Sequence, residues 1–229
     1  MTIRESVDLI VLPEMFTTGF TMNPYDISET MEGETVAWMK SISNKMQSAL
    51  CGSIIIAEQS NYYNRLLFVY PSGEIRYYDK RHLFTLAGED KVYTAGTEKV
   101  VVEYKGYSIC LQICYDLRFP VFSRNTEDYD LLLYTANWPI VRIDAWDTLL
   151  KARSIENMCY TIAVNRIGTD NNHHQYNGHS QLVDFLGNIV IAAAESEGIF
   201  TADLDKVALN VTRQRLGFLR DRDYFTISG

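Results

Sequence analysis

The chain has 229 residues, enough for one large domain with a sizeable core. With 47% hydrophobic and 22% charged residues it has the composition of a folded globular protein, which excludes a disordered or fibrous chain. Its formal net charge of −8 offers no field to attract phosphate backbones or anionic lipid, so neither nucleic acid nor a membrane surface is an expected partner. No apolar run approaches the ~20 residues needed to span a bilayer, and the charged pair Arg4-Glu5 interrupts the place where a secretory leader would need apolar residues. A cytoplasmic location is expected. The cysteines Cys51, Cys110, Cys114 and Cys159 form no CxxC pair, as suits a compartment that keeps thiols reduced.

In chain order, a strand-like run at Val7–Leu12 precedes a helical pattern over Glu34–Leu50, with apolar positions Val36, Met39, Ile42 and Met46. Strand-like runs follow at Ser53–Ala57, Arg65–Val69, Val100–Glu103, Tyr107–Ile113 and Leu131–Tyr134. A second helical pattern, Asp144–Met158, carries Ala145, Leu149, Ala152, Ile155 and Met158 on one face. Further strand-like runs are Thr161–Asn165, Gln181–Val183 and Ile199–Asp203. Tyr70-Pro71-Ser72-Gly73 and Phe185-Leu186-Gly187-Asn188 read as hairpin turns between apolar runs. Alternating strands and helices predict an α/β layered fold, and the hairpins make its sheets mixed. Neither GxGxxG nor GxxxxGK[ST] occurs, so a nucleotide cofactor loses its main support. With no repeat and no Pro/Gly/Ser-rich linker, residues 1–229 are expected to form a single domain.

Chemistry concentrates in three segments. In LPEMF, Glu14 follows an apolar strand and Pro13, at the end where α/β proteins place functional side chains, although a solvated strand terminus has the same pattern. In YYDKRHLF, Lys80 ends another strand, a pattern shared with exposed charge clusters. In ICLQICYDLRFP an apolar strand ends at Cys114 and a polar turn follows. Such an elbow exposes a nucleophile and aims the next backbone N–H groups at a reacting carbonyl oxygen, while a small buried hydrophobe is the plainer reading of a Cys at a strand end. Cys110, between Ile109 and Leu111, fits the buried reading. His173, His174 and His179 lie in or beside the Asn/Gly-rich stretch Gly168–Gly178, without thiol or carboxylate at ligand spacing; a surface loop is expected and no metal site.

Together, LPEMFTTGF, YDKRHLF, CYDLRFP and ANWP…KARSIEN…VNRIG resemble the nitrilase superfamily of carbon–nitrogen hydrolases, and within it most resemble the ω-amidase group. The resemblance implies a four-layer α-β-β-α sandwich and cofactor-free hydrolysis of a small-molecule amide. It implies Cys114 as nucleophile, Glu14 as general base, Lys80 as the cation facing the oxyanion, and Glu89 as the carboxylate that holds Lys80. Lys80 and the Tyr115 backbone N–H are the implied oxyanion donors. Arg118 suits a substrate carboxylate, but pairing with Asp116 or with a strand-end carbonyl suits it as well, and Arg142 and Arg166 compete for the same role. Asn137 and Trp138, at another strand end, are expected to line the pocket. A homodimer or higher homo-oligomer is implied. Other activities of the superfamily stand beside ω-amide hydrolysis: deaminated-glutathione amidase, nitrilase, N-carbamoyl amino acid hydrolase. An inactive binding or scaffold relative is the reading from another class. The resemblance further implies a strand and helix before the Glu14 strand; here that strand begins almost at once, and Met1–Ser6 read as the stub of that helix.

Overall fold

The computed structural model describes residues 6–193 and 195–227, so the expectation for Met1–Ser6 lies, Ser6 apart, outside the described residues. Strand β1 (Leu9–Val11) leads through a loop to helix α1 (Glu34–Met46), and β2 (Ala49–Glu58), β3 (Asn61–Val69) and β4 (Ile75–Asp79) follow as a meander. These strands form a four-stranded sheet in the order β1-β2-β3-β4, with β1 parallel to β2 and the rest antiparallel. Then come β5 (Val100–Tyr104), β6 (Tyr107–Ile113), a short helix α2 (Pro120–Ser123), β7 (Leu131–Ala136), α3 (Ile143–Asn157) and β8 (Tyr160–Asn165). A small hairpin of β9 (Ile167–Thr169) and β10 (Gln175–Asn177) precedes β11 (Gln181–Val183), β12 (Ile189–Ala192) and α4 (Lys206–Leu216). The second sheet has six strands in the order β12-β11-β8-β7-β6-β5, with β6, β7 and β8 parallel.

Side-chain alternation builds the layers. On β6, Ile109, Leu111 and Ile113 point to the other sheet and join Ala49, Cys51, Leu66 and Phe68 in the largest core, while Cys110 on the opposite face packs with Trp146 and Leu150 of α3. On the far side, Val36 and Met39 of α1 cover Leu50, Ile54 and Ile56 of β2 and Leu67 and Val69 of β3. The result is helix, sheet, sheet, helix: the four-layer α-β-β-α sandwich with mixed sheets. No helix among the described residues is long and apolar enough to cross a membrane.

Three sequence expectations are corrected. The first helix ends at Met46, not Leu50, because Gln47 takes a left-handed conformation (φ 52°) and Ala49 and Leu50 pair with Leu9 and Ile10 in the sheet. Ile199–Asp203 is no strand: no described strand pairs with it, and Ile199 and Phe200 are exposed. Helix α4 follows it instead, with the Asp205 side chain accepting the Ala208 N–H as N-cap. The expected surface loop Gly168–Gly178 is in large part the β9–β10 hairpin.

Candidate active site

Four strand ends meet at the junction of the sheets. Beyond β1, the Leu12 N–H still reaches the Cys51 carbonyl (2.7 Å), and then the chain kinks at Met15 (φ 42°), whose N–H donates to Ser53 Oγ at 2.8 Å. The kink turns Glu14 inward, where it is only 1% exposed. Lys80 directly follows β4; its N–H donates to the Asn64 carbonyl of β3, and its own carbonyl accepts the Gly96 N–H, both at 3.0 Å. Gly96 is required at this approach, since a Cβ there would stand 2.2 Å from the Asp79 carbonyl oxygen. Cys114 is the first residue past β6 and has φ 44°, a strained value for a non-glycine residue that caps the strand and starts a 3₁₀ turn, Cys114–Arg118. As the second residue of that turn, Tyr115 presents a backbone N–H without an intrahelical acceptor. Asn137 and Trp138 follow β7.

The charged groups form one buried cluster. Lys80 Nζ donates to Glu14 Oε1 at 3.0 Å and to both Glu89 oxygens at 3.0 and 2.9 Å. Glu14 Oε1 also accepts from Asn64 Nδ2 (2.8 Å), and Glu14 Oε2 accepts the Asn137 backbone N–H (2.8 Å). Burial works against the Lys80 charge, but Glu14 and Glu89 outweigh it, so its pKa lies above the usual range and the ammonium is permanent. Burial raises the Glu89 carboxyl, against the opposing pull of Lys80. Cys114, half-buried beside two carboxylates and one ammonium, is pushed well above the ordinary thiol range by burial first and by Glu14 next, with Lys80 opposing. At rest it is therefore a neutral thiol next to a carboxylate.

Cys114, Glu14 and Lys80 open onto a cavity of about 350 Å³, a size suited to a small metabolite. Tyr115, Arg118, Asn137 and Trp138 all line it. Glu89 does not, and touches the cavity only through Lys80. The Arg118 guanidinium lies over the Trp138 ring (4.9 Å), and that of Arg142 lies over Phe84 (5.2 Å). Neither is in a salt bridge with a carboxylate among the described residues. The Arg118–Asp116 pairing is corrected: the Asp116 oxygens are occupied by Tyr78, His82 and Ile113. Arg166 packs on Tyr176 (4.8 Å) and does not line the cavity.

Sequence reasoning missed the outer wall. Asp170, Asn172, His174 and Tyr176 of the β9–β10 hairpin line the cavity, with Asp170 accepting the Tyr176 hydroxyl and the His174 N–H at 2.9 Å each. The available signal was turn chemistry, Asp170-Asn171-Asn172, between two β-compatible runs. Asn64, just before the expected run Arg65–Val69, was missed as well.

The sequence pattern of the Carbon-nitrogen hydrolase family matches residues 2–214. The chain belongs to the carbon-nitrogen hydrolase family. It is 46% identical to the omega-amidase YafV of Yersinia enterocolitica over 221 residues, which is 96% of this chain and 86% of that protein. The 2-oxoglutaramate amidase of Bacillus subtilis (strain 168) is 34% identical over 86% of this chain and 78% of its own. Among solved structures, a CN-hydrolase superfamily protein from Xanthomonas campestris with an arsenic adduct in its active site superposes with a TM-score of 0.95 at 44% identity, covering 96% of this chain and 86% of that one. This carbon-nitrogen hydrolase thus shares sequence and fold with nitrilase-superfamily enzymes over nearly its whole length.

Proposed function

We propose that this carbon-nitrogen hydrolase cleaves the terminal amide of small ω-amides that carry a carboxylate at the other end, such as 2-oxoglutaramate, to the 2-oxo acid and ammonia through a thioester on Cys114. One observation carries the reading: the Cys114 thiol, the Glu14 carboxyl and the buried Lys80 ammonium line one cavity together with Arg118 and Arg142, which stand outside any salt bridge among the described residues. The omega-amidase and 2-oxoglutaramate amidase relatives support the substrate class. The arsenic adduct of the Xanthomonas campestris relative supports a reactive thiol, because arsenic is soft and bonds sulfur.

In the acylation step, Cys114 Sγ bonds to the amide carbon as the thiol proton passes to Glu14, and the carbonyl π pair moves to oxygen. Lys80 Nζ and the Tyr115 N–H stabilise that oxyanion; one such donor is worth about 2.7–4 kcal/mol of barrier. Collapse breaks the carbon–nitrogen bond while Glu14 returns the proton to nitrogen, which departs as ammonia. Water then attacks the thioester, gives a proton to Glu14, and the carbon–sulfur bond breaks as Cys114 is reprotonated. One carboxyl cycling between two states serves both halves. Glu89 holds Lys80 through paired hydrogen bonds.

Carboxylate recognition is tested by comparing 2-oxoglutaramate and succinamate with a simple aliphatic amide, in wild type and Arg118→Lys. The wild type is expected to favour the carboxylate-bearing amides. Arg118→Lys, which loses the planar fork, should lower their kcat/KM by about a hundredfold while changing the aliphatic amide little. Equal hydrolysis of the neutral amide by the wild type would sink the idea and raise general amidase or nitrilase activity.

Because thiol, carboxylate and ammonium together supply nucleophile, base and oxyanion donor, chelators are expected to leave turnover unchanged. Among the described residues no group of three or more His, Cys, Asp or Glu side chains is placed to hold a metal ion. Stoichiometric metal in the purified protein, with turnover lost on its removal, would overturn this.

A further inference from the structure

Asp116 is fully buried, two residues past Cys114, and carries no substrate-facing surface. Its Oδ2 accepts the Tyr78 hydroxyl (2.8 Å) and the Ile113 N–H (2.9 Å), and its Oδ1 accepts the His82 N–H (3.0 Å) and His82 Nδ1–H (2.7 Å). An ionised carboxylate has about four lone-pair sites, so this one is saturated. The donors are not scattered. Tyr78 and His82 flank Lys80 in sequence, and Ile113 precedes Cys114. The His82 ring stacks on Phe119 at 3.7 Å with an interplanar angle of 4°, which closes the same knot from the other side of the turn. Tyr78 is held to its donor role, since burial first and the Asp116 charge next raise its phenol well above the ordinary value.

We propose that Asp116 is a positioning residue: its carboxylate pins the strand end that presents Lys80 to the strand end that presents Cys114, and so sets the distance between nucleophile and oxyanion cation. The strained φ of 44° at Cys114 persists because the surrounding bonds over-determine it, and Asp116 supplies the bond to the residue just before the elbow. Asn at this position would present two lone pairs and two N–H groups to four donors, so half of the knot would oppose itself. The inference rests on the proposed roles of Cys114 and Lys80.

The test compares Asp116→Asn and Tyr78→Phe with wild type, using 2-oxoglutaramate and succinamate, with kcat expressed per reactive thiol titrated by an electrophile. Asp116→Asn is expected to lower kcat by about a hundredfold, as a misplacement of ~1 Å does, with KM changed by less than about threefold. Tyr78→Phe, which removes one hydroxyl, should lower kcat by about tenfold with the same split. A purely structural role would lower Tm and the titratable fraction and leave kcat per thiol unchanged. The proposal is overturned if kcat per thiol stays within about twofold of wild type, or if KM rises as much as kcat falls. If Asp116→Asn does not fold, Tyr78→Phe decides by the same criteria. Cys114→Ala in parallel separates the two levels: turnover surviving in Cys114→Ala sinks the thiol mechanism, whereas a dead Cys114→Ala with unaffected Asp116 and Tyr78 variants sinks the positioning role alone.

Discussion

Cys114→Ala is expected to abolish ammonia release, a loss of at least about 10⁴-fold in kcat, while Tm changes little. The loss is large because Cys114 is the one thiol among the described residues that line the cavity, and the remaining oxyanion donors accelerate direct water attack only weakly. Stability should barely change: Sγ borders the cavity, and alanine at φ 44° is strained to about the same degree as cysteine, so the effect stays within about 1 kcal/mol. The competing thiols are poor candidates. Cys51, Cys110 and Cys159 are 0% exposed, and burial pushes the Cys110 thiol up to about 12 and the other two higher still. Cys114 is raised too, but it alone has the Glu14 carboxylate at hand to take its proton as a bond forms. Mass spectrometry after substrate or iodoacetamide treatment should place the adduct on Cys114; an adduct on any of the other three overturns the assignment.

How far the sequence was legible depended on the range of the interaction. Strand β6 could be bounded at Tyr107 and Ile113 because its apolar run sits between Lys105-Gly106 and a polar turn, all local features. The end of α1 could not, because Gln47 adopts a conformation usually signalled by glycine, and pairing with β1 draws Ala49 and Leu50 into the sheet. Ile199–Asp203 has strand-like composition, and only the absence of a pairing strand among the described residues leaves it irregular.

The site divides in the same way. Glu14 and Cys114 each end an apolar run and Lys80 follows a pair of aromatics at a strand end, so each was visible, but with an ordinary alternative reading that the sequence alone left open. Arg118 was visible as a cation with several candidate partners, of which the structure removes one, because Asp116 is occupied by Tyr78, His82 and Ile113. Asn64 and the β9–β10 hairpin were invisible as site components because their contacts span long sequence separations: 50 residues from Asn64 to Glu14. Asn64 also sits among the polar and aromatic residues Asn61, Tyr62, Tyr63 and Arg65, so nothing local marks it as buried.

Glu14→Gln and Lys80→Met are each expected to reduce kcat by about 10³-fold or more, and the double variant should be scarcely worse than either single. The reason lies in the shared hydrogen bonds. Glu14→Gln preserves size, but its one amide oxygen can accept either from Lys80 and Asn64 or from the Asn137 N–H and not from both, and a neutral amide cannot take the thiol proton, so an ammonium is left beside a thiol that has no base. Lys80→Met removes the oxyanion cation and leaves the Glu14 and Glu89 carboxylates together, at 1% and 0% exposure, without their shared counter-charge. Two like charges in one dry site cannot both stay ionised, so the pair takes up a proton and the base is compromised along with the cation. Loss of the central charge also leaves buried partners uncompensated, at about 3–5 kcal/mol of stability, so folding is checked by thermal unfolding before rates are compared. The deciding measurement is the double-mutant cycle on kcat with ammonia as readout. Strong non-additivity is the expected result; two modest losses that simply multiply would place Glu14 and Lys80 outside the chemistry.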